Sequence, residues 1–365
     1  CEINWFGVDS LGRYPVHHHM RGLATTGLIH KGLVVKHSGQ HAFVPHMSHG
    51  ITFQDCIAYD ITAEPYWYDR TARSNPGEPT GPSSETNDLH LIRCVAAWHR
   101  DEANFRQTGY LLARSQHGNQ VIGCLDVGGD SRGGSDQMGG GYHWSEGDSN
   151  SERPGFWEFN DNITLAHTHW GIATWQNSGG APHTVASSGL YASINCGDAA
   201  GGGGITHGAY ANAYLYRNCE LYLLPGTVGL KSWATSRIPS TGKRADGYGL
   251  SFENFKVRGG KHALWIHHRV LQSDVRTLYK DWDISGTSDK KVLWQELLDG
   301  SSNPCFSDIV NCGVTPADVK FVNAGIKDGV GSILRIQQGN QAWRMNHNGQ
   351  VTSIAPFYPD PLGKK

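Results

Sequence analysis

Residues 51–59 read Ile-Thr-Phe-Gln-Asp-Cys-Ile-Ala-Tyr, two short alternating stretches on either side of a cysteine. The arrangement returns at residues 89–97 (LHLIRCVAA), 119–127 (NQVIGCLDV) and 214–221 (YLYRNCEL). Alternation with a period of two indicates β-strands that bury one face. A small buried residue at the same point of every repeat is typical of a solenoid with stacked coils. The sequence therefore predicts an all-β fold, a right-handed parallel β-helix with long loop insertions.

The cysteines follow this repeat. Cys56, Cys94, Cys124 and Cys219 take the same place in it, and Cys1 fits the same register. We expect them to form a column of small residues facing the interior, although disulfides between neighbouring coils remain an alternative. Cys305 and Cys312 stand outside the repeat, close together in a loop-like stretch, and are the candidate disulfide pair.

The repeat also predicts how the chain is divided. We assign residues 1–285 to coils, with earlier coils of a longer protein expected before Cys1, and residues 286–365 to irregular final coils and a C-terminal cap. Within the second part, residues 290–298 (KKVLWQELL) fit a helical period and predict a short helix. Residues 332–336 predict a late strand.

Composition narrows the function. The chain has 365 residues and a formal net charge of -2, so no basic excess points to a nucleic-acid ligand. No stretch reaches the 18 or so apolar residues of a membrane-spanning helix. The 12 tryptophans and 14 tyrosines exceed what a core of short strands requires, and they favour a surface that stacks against flat, polar ligands. We expect a secreted or surface-exposed protein without a membrane span.

Residues 11–20 (LGRYPVHHHM) concentrate chemically active side chains. If Val16 begins a strand, His17 and His19 share one face about 7 Å apart, and His18 takes the other. Two imidazoles so placed can bind a metal ion, transfer protons or hydrogen-bond a neighbouring turn. Histidines of the following coil, among them His46, are expected directly above them.

The run Gly12-Arg13-Tyr14-Pro15-Val16-His17-His18-His19 resembles the Gly-Arg-Tyr-Pro-Ile-His-Phe-His run of the cell-surface hyaluronidase family, which includes the cell-migration-inducing hyaluronan-binding proteins and bacterial relatives. Residues 42–60 are similar to the next coil of that family. Residues 118–127, followed by Gly-Tyr-His-Trp at 141–144, are similar to a third coil. The resemblance covers roughly residues 1–144, and beyond them only the type of repeat matches.

This resemblance implies a parallel β-helix that acts on an extracellular glycan such as hyaluronan. His17, His19 and Arg13 take the family's histidine and arginine positions, whereas His18 replaces a phenylalanine. The Tyr-Trp-Tyr-Asp-Arg run at 66–70 stands where the family has Cys-Phe-Phe-Thr-Glu-Asp, so that Asp69 keeps an acidic role. The candidate catalytic residues are Arg13, His17, His19, His46 and Asp69. The candidate substrate-binding residues are Tyr66, Trp67, Tyr68, Arg70, Tyr142 and Trp144.

Several alternatives stay open. An enzyme with this site would be a polysaccharide-degrading glycosidase, which usually needs two carboxyl groups, or a lyase, which needs a base near an arginine. No cofactor is assigned, although three converging histidines suit a transition metal, and Asp130, Asp136 and Asp148 in a glycine-rich loop suit calcium. The alternative function is a non-catalytic structural or adhesive subunit of a surface filament, virion or phage appendage, which would form a homo-oligomer or a larger assembly.

Overall fold

The structure of the protein is a computed structural model. It describes residues 1–8, 12–68, 86–100, 108–112, 118–129, 140–144, 157–167, 170–174, 187–188, 193–194, 202–207, 215–233, 248–269, 276–297, 306–323 and 332–358. These residues form an all-β protein, as the sequence predicts, with short 3-10 helices at Leu23–Thr25 and Pro316–Asp318. None of the helices in these ranges is long and apolar enough to cross a membrane.

The strands of the first half of the chain are short. They are β1 (Glu2–Asn4), β2 (Val16–His17), β3 (Leu28–Lys31), β4 (Val34–Lys36), β5 (Phe43–Val44), β6 (Ile51–Gln54), β7 (Ile57–Thr62), β8 (Tyr66–Tyr68), β9 (His90–Ile92), β10 (Val95–Arg100), β11 (Thr108–Leu112), β12 (Asn119–Ile122), β13 (Leu125–Val127), β14 (Gly140–Trp144), β15 (Trp157–Asn160), β16 (Ile163–Leu165) and β17 (Trp170–Thr174).

The strands of the second half continue the pattern. They are β18 (Ser187–Ser188), β19 (Ser193–Ile194), β20 (Gly203–His207), β21 (Leu215–Arg217), β22 (Glu220–Leu223), β23 (Val228–Trp233), β24 (Tyr248–Glu253), β25 (Lys256–Gly259), β26 (His262–Arg269), β27 (Arg276–Lys280), β28 (Asp283–Ser285), β29 (Val292–Leu297), β30 (Phe306–Val310), β31 (Val319–Asn323), β32 (Ile333–Gln338), β33 (Gln341–Asn346) and β34 (Val351–Ile354).

Strands pair with the strand three places further along the chain. One parallel sheet runs β1-β4-β7-β10-β13-β16-β19, a second begins β2-β5-β8-β11-β14, and a third contains β3, β6, β9, β12 and β15. The same spacing continues from β18 to β30 and in the sheet β22-β25-β28, whereas β31 and β32 follow their partners β29 and β30 by two places. The chain therefore passes through the sheets in rotation, and we call one such pass a coil.

The last part of the chain differs from its prediction. The described residues of this stretch, 290–297, form no helix: β29 pairs in parallel with β26 over its length and with β31 from Val292 to Glu296. Val292, Trp294 and Glu296 are buried at alternating positions, so tertiary pairing overrides the local helical period. Parallel pairing also continues beyond residue 285, through β30 and β32, before β33 and β34 add an antiparallel cap. The late strand predicted at 332–336 is confirmed as β32.

The cysteine column is confirmed in part. Cys56, Cys94 and Cys124 are buried directly before β7, β10 and β13, and Cys219 is buried directly before β22. Cys1 stands directly before β1 but is exposed, so it does not face the interior. The amide of Leu125 donates to the carbonyl of Cys94, as that of Val95 does to Cys56. On the next coil Asn162 takes the place of the cysteine. Its side chain accepts from the amide of Cys124 at 2.9 Å and donates to Val121 at 2.8 Å, so a polar residue is tolerated here because it is fully hydrogen-bonded.

A tight corner precedes each column residue. Asp55 and Arg93 have φ angles of 54° and 49°, and Gly123 has 64° at the equivalent point. Glycine adopts this left-handed conformation without strain, and Asp tolerates it better than most residues. The Asp55 carboxylate accepts from Arg93 at 2.8 Å across the two coils. The corner thus fixes the register in which successive coils stack.

A second column runs beside the cysteines. Tyr66, Tyr110 and Tyr142 stack with ring centroids 4.7 Å apart, close to the spacing of paired strands. Their hydroxyl groups donate to the carbonyls of Cys56 and Cys94, at 2.9 and 2.8 Å, and of Cys124, at 2.8 Å. All three side chains are buried. Aromatic stacking and satisfied hydroxyl groups therefore hold the centre of the first coils.

Candidate functional site

Three of the predicted catalytic histidines meet at the edge of the second sheet. His17 ends β2, His19 follows two residues later, and His46 lies just after β5. Val16 pairs with Phe43, and the amide of Met20 donates to the carbonyl of His46, so His19 and His46 lie side by side on neighbouring coils. A ring nitrogen of each imidazole lies within 4.8 Å of the others. We call these three residues the histidine trio.

Burial within the trio is graded. His46 is 6% exposed, His17 is half-buried and His19 is exposed. The ring of His19 meets His17 edge-on at 5.1 Å and His46 edge-on at 4.9 Å. Nδ1 of His17 lies 3.2 Å from the carbonyl of Gly12. The trio therefore has one imidazole that faces solvent and two that stand behind it.

His17, one of the two inner histidines of the trio, has a lowered pKa and stays neutral near neutral pH. Burial, and next the proximity of His19, lower the pKa of His17 to about 4. Its Nε2 is buried and has no hydrogen-bond partner among the described residues. A neutral imidazole has a lone pair that accepts a proton or coordinates a metal ion. The geometry thus keeps open both chemical roles expected from the sequence.

His18 points to the opposite side of the strand, as its place in the alternation predicts. Its Nε2 lies 2.7 Å from Nε2 of His30 on β3, and the ring of His30 stacks on Phe53. Burial lowers the pKa of both histidines, and for His18 the neighbouring His30 lowers it further. His18 therefore contributes to packing between sheets and not to the trio.

A buried wall stands beside the trio. His41 stacks on Trp67 with ring centroids 4.2 Å apart, and its Nδ1 lies 3.1 Å from a carboxylate oxygen of Glu64. Both partners of this ion pair are fully buried. Tyr14 meets His17 at 4.8 Å, His41 at 5.2 Å and Trp67 at 5.7 Å, and so connects the wall to the trio. Sequence reasoning assigned no role to Tyr14 or Glu64. The one sequence signal for such a role is that Tyr14 lies three residues before His17 in the chain.

Not all predicted catalytic residues join the trio. Arg13 is exposed on the segment that leads into β2, four residues before His17. Asp69 lies outside the described residues, as do Arg70 and the calcium candidates Asp130, Asp136 and Asp148. These roles stay predictions.

The predicted aromatic contacts to substrate need correction. Tyr66, Trp67, Tyr68 and Tyr142 are at most 5% exposed, and Tyr66 and Tyr142 belong to the interior tyrosine column. A sugar ring can stack only on an aromatic face that solvent reaches. These four side chains therefore pack the fold instead of lining a groove. Trp144 ends β14, and its side chain is not among those described.

The exposed aromatics lie at a different corner. Trp5 is 74% and Trp98 59% exposed. Trp5 stacks on His37 at 4.5 Å, and Trp98 meets Tyr59 edge-on at 6.0 Å. Trp5, His37 and Trp98 have φ angles of 60°, 53° and 55° at equivalent points of their coils. Trp5 was missed from the sequence, because it follows β1 at the start of the chain and no repeat signal marks it.

An ion network accompanies these aromatics. Nδ1 of His37 lies 2.6 Å from one carboxylate oxygen of Asp60, and Nε of Arg100 lies 2.6 Å from the other. We call Trp5, His37, Tyr59, Asp60, Trp98 and Arg100 the aromatic corner. It presents flat rings and fixed charges on successive coils, about 4.8 Å apart.

The disulfide between Cys305 and Cys312 stays a prediction, because Cys305 lies outside the described residues. Cys312 is buried, and its thiol contacts the carbonyls of Val310 at 3.3 Å and Tyr279 at 3.5 Å. Burial raises the pKa of this thiol to about 12, so it is protonated and unreactive at neutral pH.

Comparisons with known proteins add no identification: no protein-family model matches the chain, and neither a curated protein nor a solved structure is significantly similar to it. The resemblance to the cell-surface hyaluronidases therefore stays a sequence-based hypothesis. The function has to be argued from the geometry of the trio and the aromatic corner.

Proposed function

We propose that the protein is a right-handed parallel β-helix that binds an acidic extracellular polysaccharide and acts on it at the histidine trio. The pairing of each strand with the third strand after it supports the helix, because a chain that adds one parallel strand to each of three sheets in turn winds as coils. The right hand is supported by the general preference of parallel crossover connections.

The observation that carries the proposal is the graded burial of the trio. His19 is exposed and can reach a bound chain, whereas His17 and His46 stand behind it and fix its position. Arg13, exposed on the preceding segment, supplies a cation for a uronate carboxylate. Among the described residues, the site has histidines and an arginine but no pair of carboxyl groups, and this set suits elimination better than hydrolysis.

The step balances without a cofactor. An imidazole of the trio, which we assign as His19, takes the proton from C5 of a uronate. The electron pair of the C5–H bond forms the C4–C5 double bond while the C4–O bond breaks. The leaving oxygen takes a proton from water. The products are a chain whose new non-reducing end is the unsaturated uronate and a leaving chain with a new reducing end. The protonated imidazole then gives its proton to the hydroxide left by water, which regenerates the base.

The aromatic corner supports the binding half of the proposal. Exposed tryptophan faces stack on sugar rings, and Arg100 adds a positive charge beside them. Because these residues recur on neighbouring coils, the corner suits an extended chain that runs along the axis of the coils. A ligand of this kind occurs outside cells, and we therefore propose a secreted or surface location.

The test is incubation with a panel of acidic polysaccharides, with hyaluronan among them, reading reducing ends, ultraviolet absorbance of unsaturated uronate, and binding. We expect the wild-type protein to release unsaturated products and His19→Gln to lose that release. His90→Gln, a change at a partly buried histidine of β9, should leave it unchanged. The proposal is contradicted if the protein forms no product from any member of the panel and binds none of them. Reducing ends without unsaturated product contradict elimination.

The second candidate function is a structural or adhesive subunit. Phe6, Leu23 and Ile29 are 63%, 78% and 59% exposed, and exposed apolar side chains favour association with another chain. A structural or adhesive subunit would self-associate in sedimentation velocity and give no signal with any polysaccharide.

A further inference from the structure

A second group of metal-ligating side chains lies inside the coils. His99 belongs to β10, Asp126 is the central residue of β13, and His167 lies two residues after β16. The pairs Ala97–Val127 and Val127–Leu165 set the register of these strands. Two residues further along, His99, Gly129 and His167 therefore fall in one column on three successive coils. Asp126 comes from the middle coil of the three.

The cluster is closed to solvent. The side chains of His99 and Asp126 are 0% exposed, and that of His167 is 1% exposed. Nε2 of His99 lies 3.2 Å from one carboxylate oxygen of Asp126, and Nε2 of His167 contacts the other. One ligand atom of each residue lies within 4.8 Å of the others.

Glycines make the space for this cluster. A Cβ atom on Gly129 would lie 2.0 Å from the ring of His99 and 2.7 Å from that of His167. A Cβ atom on Gly109 would lie 1.8 Å from the Asp126 carboxylate. Real Cβ atoms do not come this close to other atoms, so both positions require glycine. Gly129 therefore leaves the column without a side chain where the imidazoles of His99 and His167 approach the Asp126 carboxylate.

The polar atoms of the cluster are not satisfied by hydrogen bonds within the described residues. Both carboxylate oxygens of Asp126, both ring nitrogens of His99 and Nε2 of His167 are buried without such a partner. The hydroxyl of Thr164, which borders the cluster across Gly141, is in the same state. Buried groups of this kind destabilise a fold unless something else satisfies them. The two imidazoles and the carboxylate therefore bring their nitrogen and oxygen atoms together in one enclosed space.

One carboxylate and two imidazoles form a mixed oxygen and nitrogen ligand set that suits zinc, whereas calcium takes oxygen ligands.

We propose that His99, Asp126 and His167 bind a divalent transition metal ion, Zn²⁺ in the first place, as a structural site that joins three coils. Thr164 offers a fourth oxygen from the neighbouring strand. Full burial distinguishes this site from the histidine trio, because a closed site ties elements together and a catalytic site keeps a position open to substrate. The proposal does not depend on the polysaccharide function.

The test uses the full chain and Zn²⁺ alone. After dialysis against Zn²⁺ and gel filtration, we expect about one equivalent of metal per chain and a melting temperature several degrees higher than after chelation. His167→Gln should weaken Zn²⁺ binding at least about 10-fold. His207→Gln, a change at a fully buried histidine on β20, and His19→Gln in the trio should bind as the wild type does. Loss of the metal in His19→Gln but not in His167→Gln would overturn the proposal, as would a wild-type chain that retains no metal.

A spectroscopic measurement keeps the test independent of variant folding. X-ray absorption of the zinc-loaded wild-type chain should show two imidazole nitrogens with oxygen ligands at about 2.0–2.2 Å. Three imidazoles would assign the metal to the trio and contradict the buried site.

Discussion

The histidine trio and the buried His99–Asp126–His167 cluster use the same imidazole donors in opposite surroundings. The trio lies at the edge of a sheet with one ring exposed and no carboxylate among its described members. The buried cluster lies between coils with a carboxylate at its centre and no access to solvent. The exposed ring of the trio can reach a bound ligand, whereas the contacts of the buried cluster can contribute only to stability.

The two clusters also differ in their electrostatics. In the trio, burial and mutual repulsion keep His17 neutral, so that it can accept a proton or a hydrogen bond from a ligand. In the buried cluster, the carboxylate of Asp126 lies between two imidazoles in a space closed to water. Equal changes in the two clusters should therefore have unequal consequences.

Removal of the buried charge should have the largest effect. Asp126→Asn keeps the shape of the side chain but leaves two buried imidazoles without a carboxylate, and we expect a loss of about 3–5 kcal/mol in the free energy of unfolding. Urea denaturation measures it. Asp55→Asn is the matched control, since the Asp55–Arg93 pair lies on the surface and should contribute little. Equal losses in the two variants would remove the distinction between closed and open sites.

Filling the space beside the buried imidazoles should have the next largest effect. In Gly129→Ala the added Cβ overlaps the ring of His99, and we expect a loss of about 1–3 kcal/mol because both rings must move. Ala97→Val, which adds volume at a partly exposed position of β10, is the control and should have almost no effect. A melting curve for Gly129→Ala that coincides with the wild-type curve would mean that the column has room to spare.

Acid should act on the trio before it acts on Asp126. The pKa of His17 is about 4 in the folded protein and 6.5 in the unfolded chain, so the unfolded chain binds more protons between these values. The contribution of His17 to stability therefore falls as the pH drops from 6.5 toward 4. Because His17 is only half-buried, we expect at most about 1 kcal/mol between pH 6 and pH 5.

The measurement is urea denaturation of the wild type and of His17→Gln at both pH values. His17→Gln should lose less stability than the wild type on acidification. Asp126 should not contribute in this window, since its lowered pKa keeps it ionised. An identical pH dependence in both proteins would contradict the pKa given to His17.

The sequence predicts the fold well where the repeat is visible in a short window. Cys56, Cys94 and Cys124 stand in strands that alternate with a period of two, and their column is confirmed. Residues 290–298 mislead, because pairing with β26 decides their conformation and such pairing is not encoded locally. The prediction that Tyr66 and Tyr142 bind substrate is wrong for a related reason. An aromatic side chain in a strand stacks in the interior when neighbouring coils carry aromatic residues in the same register.

The two clusters differ in the same respect. His17 and His19 stand in one run, so the trio could be predicted in outline. His99, Asp126 and His167 are separated by loops of unequal length, and only their register unites them. A signal exists nevertheless: His99, Gly129 and His167 each follow the buried residue that starts their coil, Cys94, Cys124 or Asn162, by five positions. The exposed Trp5 gives no comparable signal.

The central claim is that the trio acts on a ligand and the buried cluster stabilises the coils. The most direct test measures the melting temperature and the release of unsaturated uronate for the wild type, His19→Gln and His167→Gln, with activity assayed well below every transition. We predict that His19→Gln loses the activity and keeps its melting temperature within about 1 °C, as exposed substitutions usually do. His167→Gln should melt several degrees lower and keep the activity. Activity that survives in His19→Gln, or melting temperature and activity that fall together in both variants, would contradict the division of roles.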